Sequence, residues 1–161
     1  MKKLSTRILS LFLVLAMVAG MVPATVFAAE SDGTTWTKVG FDQIKATDVV
    51  AITMTSGEDT YVLPTVAEGS SSQPLATAVT VDGDTMTTEG GADAYGWTIA
   101  ETEGGYTISN GTQYLSIEAT NNGVRISDTA AAWNLIEDGY LSAVDGNGDT
   151  RYLGVYVKGL D

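Results

Sequence analysis

Residues 97–117 read WTIAETEGGYTISNGTQYLSI. Trp97 and Ile99 alternate with Thr98. Tyr106 and Ile108 alternate with Thr107, and Leu115 and Ile117 follow the same rule. A period of two marks strands with one buried face. The Thr, Ile and Tyr content favours strands as well. Glu103-Gly104-Gly105 and Ser109-Asn110-Gly111 separate the runs. Asn-Gly pairs supply the positive φ angles that tight hairpins need. This stretch predicts three short strands joined by two tight turns.

The pattern extends in both directions. Val50, Ile52 and Met54 alternate with Ala51 and Thr53, and Tyr61 and Leu63 share a side. Val79 and Val81, then Val124 and Ile126, then Trp133 and Leu135 repeat it, and Leu153, Val155 and Val157 close it. Turn signals recur at Ser56-Gly57-Glu58-Asp59, Asp82-Gly83-Asp84, Asn121-Asn122-Gly123, Asp138-Gly139 and Asp145-Gly146-Asn147-Gly148. Glu68 to Pro74 reads as the one longer loop. No helical period stands out after residue 35, and Ala130-Ala131-Ala132 suits one turn at most. Many short strands with frequent turns predict an all-β sandwich, barrel or trefoil.

The opening stretch has an echo. Trp97-Thr-Ile99, Gly105-Tyr106-Thr-Ile108 and Gln113-Tyr114-Leu115 return as Trp133-Asn-Leu135, Gly139-Tyr140-Leu141 and Arg151-Tyr152-Leu153. The tryptophans are 36 residues apart, and Tyr114 and Tyr152 are 38 apart. A weaker first copy runs from Asp48 through Ile52 and Tyr61-Val62-Leu63 to Val79 and Val81. Three like units of about 40 residues suit an architecture built by stacking repeats. Chance likeness between β segments is the competing explanation.

Trp-x-Ile, Gly-Gly-Tyr-Thr-Ile-x-Asn and Tyr-Leu resemble the repeats of ricin-B-type β-trefoils over about Tyr95–Tyr156. The resemblance implies a β-trefoil and glycan binding. The chain departs from that family where Gln usually stands two residues before the Trp, since Tyr95 and Ala131 occupy those positions. The family's sugar-binding Asp and aromatic have no matching positions, so no ligand residue is carried over. Arg151-Tyr152-Leu153-Gly154-Val155-Tyr156 also resembles the end of accessory β domains in large surface proteins of gut Firmicutes, some of which carry nuclease or phosphoesterase domains. In the second unit Val124-Arg-Ile126 follows Tyr114-Leu115 by about ten residues, whereas Asp161 stands nine residues after Tyr152. The expected fold is a β-trefoil or small closed β-barrel lacking its last strand. Either the natural chain is longer, or the first strand completes the barrel.

The N-terminus carries an address. Lys2, Lys3 and Arg7 precede the apolar run Ile8 to Val22, Pro23 breaks that run, and Val26-Phe27-Ala28 suits a signal peptidase. This predicts a secretory signal peptide over residues 1–28, a polar arm over 29–35 and one all-β domain over 36–161. The rival reading is a retained anchor, but a transmembrane helix needs about 20 apolar residues. No Cys follows the run, which rules out a bacterial lipoprotein anchor. Residues 1–28 hold three of the 8 basic residues and none of the 20 acidic ones. Cleavage would therefore take the net charge from −12 to −15. Such a surface repels phosphates, so nucleic acid is not an expected partner. A membrane is not one either once the signal is removed. The absence of Cys in a secreted domain, with this style of signal, points to a Gram-positive bacterial source.

The composition also limits the chemistry. The chain has no His and no Cys. That removes the commonest general base, thiol nucleophiles and the commonest soft metal ligands. Ser70-Ser71-Ser72 therefore has no partner for triad catalysis. Glu101, Glu103, Glu137 and Asp138 are the carboxylates to consider for glycoside hydrolysis, but they sit beside turns and read as solvated surface. Asp145-Gly-Asn147-Gly-Asp149 has the alternating oxygens that open a calcium loop. Thr150 and Tyr156 stand where that loop needs Gly and Glu, so a plain hairpin turn is the simpler reading. Trp97 and Trp133 are expected in the core. Trp36, Tyr140 and Tyr156 are the aromatics free to meet a sugar ring.

The expected function is a secreted, non-catalytic β module without cofactor, catalytic residues or metal. It would bind a glycan or other extracellular ligand, or support a larger extracellular protein. The alternative is the N-terminal part of an extracellular nuclease, phosphoesterase or glycosidase with its catalytic domain beyond Asp161.

Overall fold

A computed structural model of the protein describes residues 33–68, 72–117, 123–136 and 139–155. The expected signal peptide over 1–28 lies outside the described residues, as do Ser70, Ser71, Glu137, Asp138, Tyr156 and Val157.

The chain is nearly all β. Its strands are β1 (Thr34–Thr37), β2 (Thr53–Ser56), β3 (Asp59–Val62), β4 (Thr77–Val79), β5 (Val81–Asp82), β6 (Thr85–Thr88), β7 (Thr98–Thr102), β8 (Gly105–Ser109), β9 (Tyr114–Ile117), β10 (Val124–Ser127), β11 (Trp133–Leu135), β12 (Leu141–Val144) and β13 (Thr150–Tyr152). They form three antiparallel sheets: β1-β6-β5, β2-β3-β4, and a seven-stranded sheet ordered β10-β9-β8-β11-β12-β13 with β7 on β8. The last sheet curls as a half-barrel and carries both copies of the strong echo.

β1 takes in Thr34 and Thr35, which the sequence reading gave to the polar arm. Thr34 pairs with Thr88 and is buried. A backbone that finds a sheet edge loses its unpaired N–H and C=O groups, and this outweighs the polarity of the side chains. Among the described residues the helical elements are a 3-10 turn at Phe41–Gln43 and one turn, α1, at Ala92–Tyr95, with Gly139 also in 3-10 conformation. Ala130 to Ala132 form neither helix nor strand.

One apolar cluster ties the β2-β3-β4 sheet to the seven-stranded sheet. Ile52, Met54 and Leu63 come from the first copy, Trp97, Ile99, Ile108 and Leu115 from the second, and Trp133, Leu141 and Leu153 from the third. Val50 and Trp97 exchange backbone hydrogen bonds at 2.8 Å each way, which joins the first copy to the second. Trp133 pairs with Tyr106. Gly105, with φ +131°, permits the close approach there, because a Cβ at that position would collide with the Trp133 carbonyl. Phe41 closes over this junction with its ring edge-on to Tyr106, centroids 5.0 Å apart.

Val81 departs from the alternation. It pairs with Met86, yet Met86 is buried and Val81 is exposed. β5 is an outer strand of a three-stranded sheet, so its side chains lie at a rim.

Candidate functional site

The three tryptophans divide as their strands dictate. Trp97 and Trp133 are fully buried. The Trp97 indole N–H donates to the Leu63 carbonyl at 3.1 Å, and that of Trp133 donates to the Leu115 carbonyl at 2.9 Å. Both are core groups with satisfied polar tips. Trp36 is half-buried, and its ring N–H donates to Thr88 Oγ1 at 3.0 Å. That bond holds one edge of the half-exposed Trp36 ring against β6.

The Asp145 loop is a self-satisfied turn. Asp145 Oδ1 accepts the backbone N–H groups of Asn147 at 2.9 Å and Asp149 at 3.0 Å. Arg151 donates through Nε to Asp145 Oδ2 at 2.9 Å and through Nη2 to Asp149 Oδ2 at 3.2 Å. The hydrogen bond from Arg151 and those from the backbone hold the Asp145 carboxyl below its ordinary value near 3.8, against the opposing effect of burial. The guanidinium thus stands where the calcium-loop reading would put a cation. Among the described residues, no group of three acidic side chains could hold a metal ion.

Glu101 and Glu103, at the end of β7 and in the following turn, are both exposed. Ser72, the described member of the serine run, has a left-handed φ of 55° and is exposed. Its carbonyl accepts the Ile126 N–H at 2.8 Å, so it serves the edge of β10.

The exposed chemistry gathers on β11, β12 and β13. Asn134 pairs with Ser142, and Ser142 pairs with Tyr152. Register partners share a face, so the exposed Asn134 and Tyr152 flank the buried Ser142 in one row across three strands. Tyr140 lies two residues before Ser142 and joins this face by the period of two. Tyr140 is 56% exposed and Tyr152 is 62% exposed. Val144 and Thr150, also paired and exposed, continue the face. Leu141, Ala143, Arg151 and Leu153 alternate onto the opposite side. Sequence reading named Tyr140 and missed Tyr152. The signal was present, since a residue beside inward-facing Leu153 must face outward.

Of two depressions in the structure, one adjoins these strands. One, of about 300 Å³, lies between the two ends of the half-barrel and is lined by Ile117, Val124, Trp133, Arg151, Tyr152 and Val155 among others. The second, of about 350 Å³, includes Thr65, Asp93, Asn110 and Thr112. Its polar groups are largely engaged internally. Asn110 donates to the Thr65 carbonyl at 2.8 Å and accepts from Thr112 and Gln113, and Thr65 Oγ1 donates to the Asp93 carbonyl at 2.6 Å.

No protein-family model, curated protein or solved structure matches the chain.

Proposed function

We propose that the protein is a secreted, non-catalytic β module that binds a saccharide on the outer face of β11–β13. The observation that carries this reading is the exposed pair Tyr140 and Tyr152, with the exposed Asn134 amide in the same cross-strand row as Tyr152. A pyranose ring has an apolar C–H face and hydroxyl edges. A phenol ring presents an apolar face of matching size, and its rim oxygen and a neighbouring amide can meet the hydroxyls. Paired, exposed aromatics on an otherwise polar surface are the usual mark of a binding patch. The resemblance to ricin-B-type repeats supports the same class of ligand.

A glycan array followed by titration calorimetry tests this. Shallow sites of this kind give dissociation constants from millimolar to micromolar, about 4–8 kcal/mol. Tyr140→Ala and Tyr152→Ala should each weaken binding at least tenfold without loss of fold. A folded protein that binds nothing across a broad array, or binding untouched by both substitutions, counts against the reading.

A further inference from the structure

The outer-face row does not stop at β11. Tyr106 pairs with Trp133, so the next pair across the β8–β11 junction is Gly105 and Asn134. A Cβ on Gly105 would stand 3.0 Å from Asn134 Oδ1, which places the two residues side by side on this face. Gly105 in turn pairs with Thr102. One row therefore crosses five strands: Thr102 on β7, Gly105 on β8, Asn134 on β11, Ser142 on β12 and Tyr152 on β13. Thr102, Asn134 and Tyr152 are exposed, Gly105 carries no side chain, and Ser142 is buried. Groups that can reach a ligand thus recur at every second strand, with lower ground between them.

Neighbouring strands lie about 4.8 Å apart, so the three exposed side chains recur about every 9–10 Å and the row is about 19 Å long. In a chain of equatorially 1,4-linked pyranoses each ring is turned over relative to the one before it. Every second ring then presents the same edge, and that two-ring repeat is close to two strand spacings. The row also has no charged side chain. β7, β8, β11 and β12 carry no Lys or Arg. Arg151 of β13 alternates onto the opposite side and donates to Asp145 and Asp149. Glu103 and Asp149, in the turns that follow β7 and precede β13, are exposed. An anionic sugar therefore meets no counter-charge on this face and two carboxylates at its border.

We propose that the ligand of this face is an extended, uncharged chain of equatorially linked pyranoses, about four rings long, lying across the strands from Tyr152 to Thr102. This rests on the reading of the face as a saccharide site and adds the shape, length and charge of the sugar. One end of the chain stacks on Tyr152, with Tyr140 flanking it from the neighbouring row. The Asn134 amide meets hydroxyls at the middle, donating through Nδ2 and accepting through Oδ1. Thr102 Oγ1 gives its hydrogen to the Gly105 carbonyl at 3.3 Å and accepts from a hydroxyl at the far end. Further contacts on one chain carry no second cost of association, so affinity grows with length until the row is filled.

The test titrates the full chain by calorimetry with cello-, manno- and xylo-oligosaccharides of one to six sugars. In the ladder that binds, affinity should rise at least tenfold from the disaccharide to the tetrasaccharide and change less than twofold beyond it. The β-1,4-linked tetraglucuronate, which has the same geometry but a carboxylate on every ring, should bind at least tenfold more weakly than cellotetraose. Thr102→Val keeps the shape and strand preference of the side chain, so it should fold. It should weaken tetrasaccharide binding at least threefold and leave disaccharide binding unchanged. Equal affinity for the disaccharide and the tetrasaccharide, equal binding of the uronate, or equal losses for both lengths in Thr102→Val would overturn the extended chain and leave the saccharide site standing. So would glycans bound on the array while all three ladders fail to bind. A folded protein that binds neither the array nor the ladders overturns both readings.

Discussion

The Trp133 indole N–H donates to the Leu115 carbonyl at 2.9 Å inside a fully buried site. Trp97 makes the same bond to Leu63 at 3.1 Å. Two tryptophans 36 residues apart thus occupy equivalent settings. Each fills the core with its ring and satisfies a carbonyl that the strand ladder leaves without a partner.

Trp133→Phe should therefore cost more than a change of ring size. The Leu115 carbonyl would be left buried without its donor, which costs about 1–3 kcal/mol before any cavity is counted. Trp36→Phe removes a bond to a hydroxyl at a half-buried site and should cost clearly less. Urea denaturation of the two variants gives the comparison. Equal losses would mean that the indole bond at Trp133 contributes nothing of its own.

Gly105→Ala should destabilise the protein by about 1–3 kcal/mol or more, because it combines a disfavoured φ with a collision against the Trp133 carbonyl. Gly57→Ala, with φ +62° and nothing within 4 Å, pays for conformation alone and should cost less. Thermal unfolding distinguishes them. A neutral Gly105→Ala would show that β8 and β11 can separate without penalty.

Asp145 gives a pH signature. The folded state lowers its carboxyl pKa below the ordinary 3.8, chiefly through the Arg151 hydrogen bond. A depressed carboxyl stabilises the fold when ionised. That contribution is complete above the unfolded value and fades as pH falls through the lower folded value. The stability gap between wild type and Asp145→Asn should be widest at pH 6–7 and shrink below 3.8. Chemical denaturation from pH 7 down to pH 3 measures it, and a constant gap would contradict the assignment.

Tyr140→Ala and Tyr152→Ala should leave stability within about 0.5 kcal/mol of wild type, because both rings face solvent. Leu115→Ala, at a fully buried site, should cost about 2–5 kcal/mol. Losses at the tyrosines as large as at Leu115 would place those rings in a hidden packing contact instead of a free surface.

The all-β class, the strand runs and the matched tryptophans were legible in the sequence by itself. A period of two and positive-φ turn residues are local properties, and two copies of one pattern must bury the same residues. The alternation also separated Leu153 from Tyr152. It could not show that Ser116, Arg125 and Ser142, on the outward side of their strands, are buried. Periodicity says which residues share a face but not what lies against that face. Ser72, remote in sequence, reaches β10 and takes up the Ile126 N–H. Nor did the composition of residues 145–149 show that Arg151 would fold back onto Asp145, which turns a calcium-like spacing into an internal ion pair. The groove beside Gly154 depends on which strands meet across the half-barrel. That pairing depends on contacts between residues far apart in the chain, which no local pattern encodes.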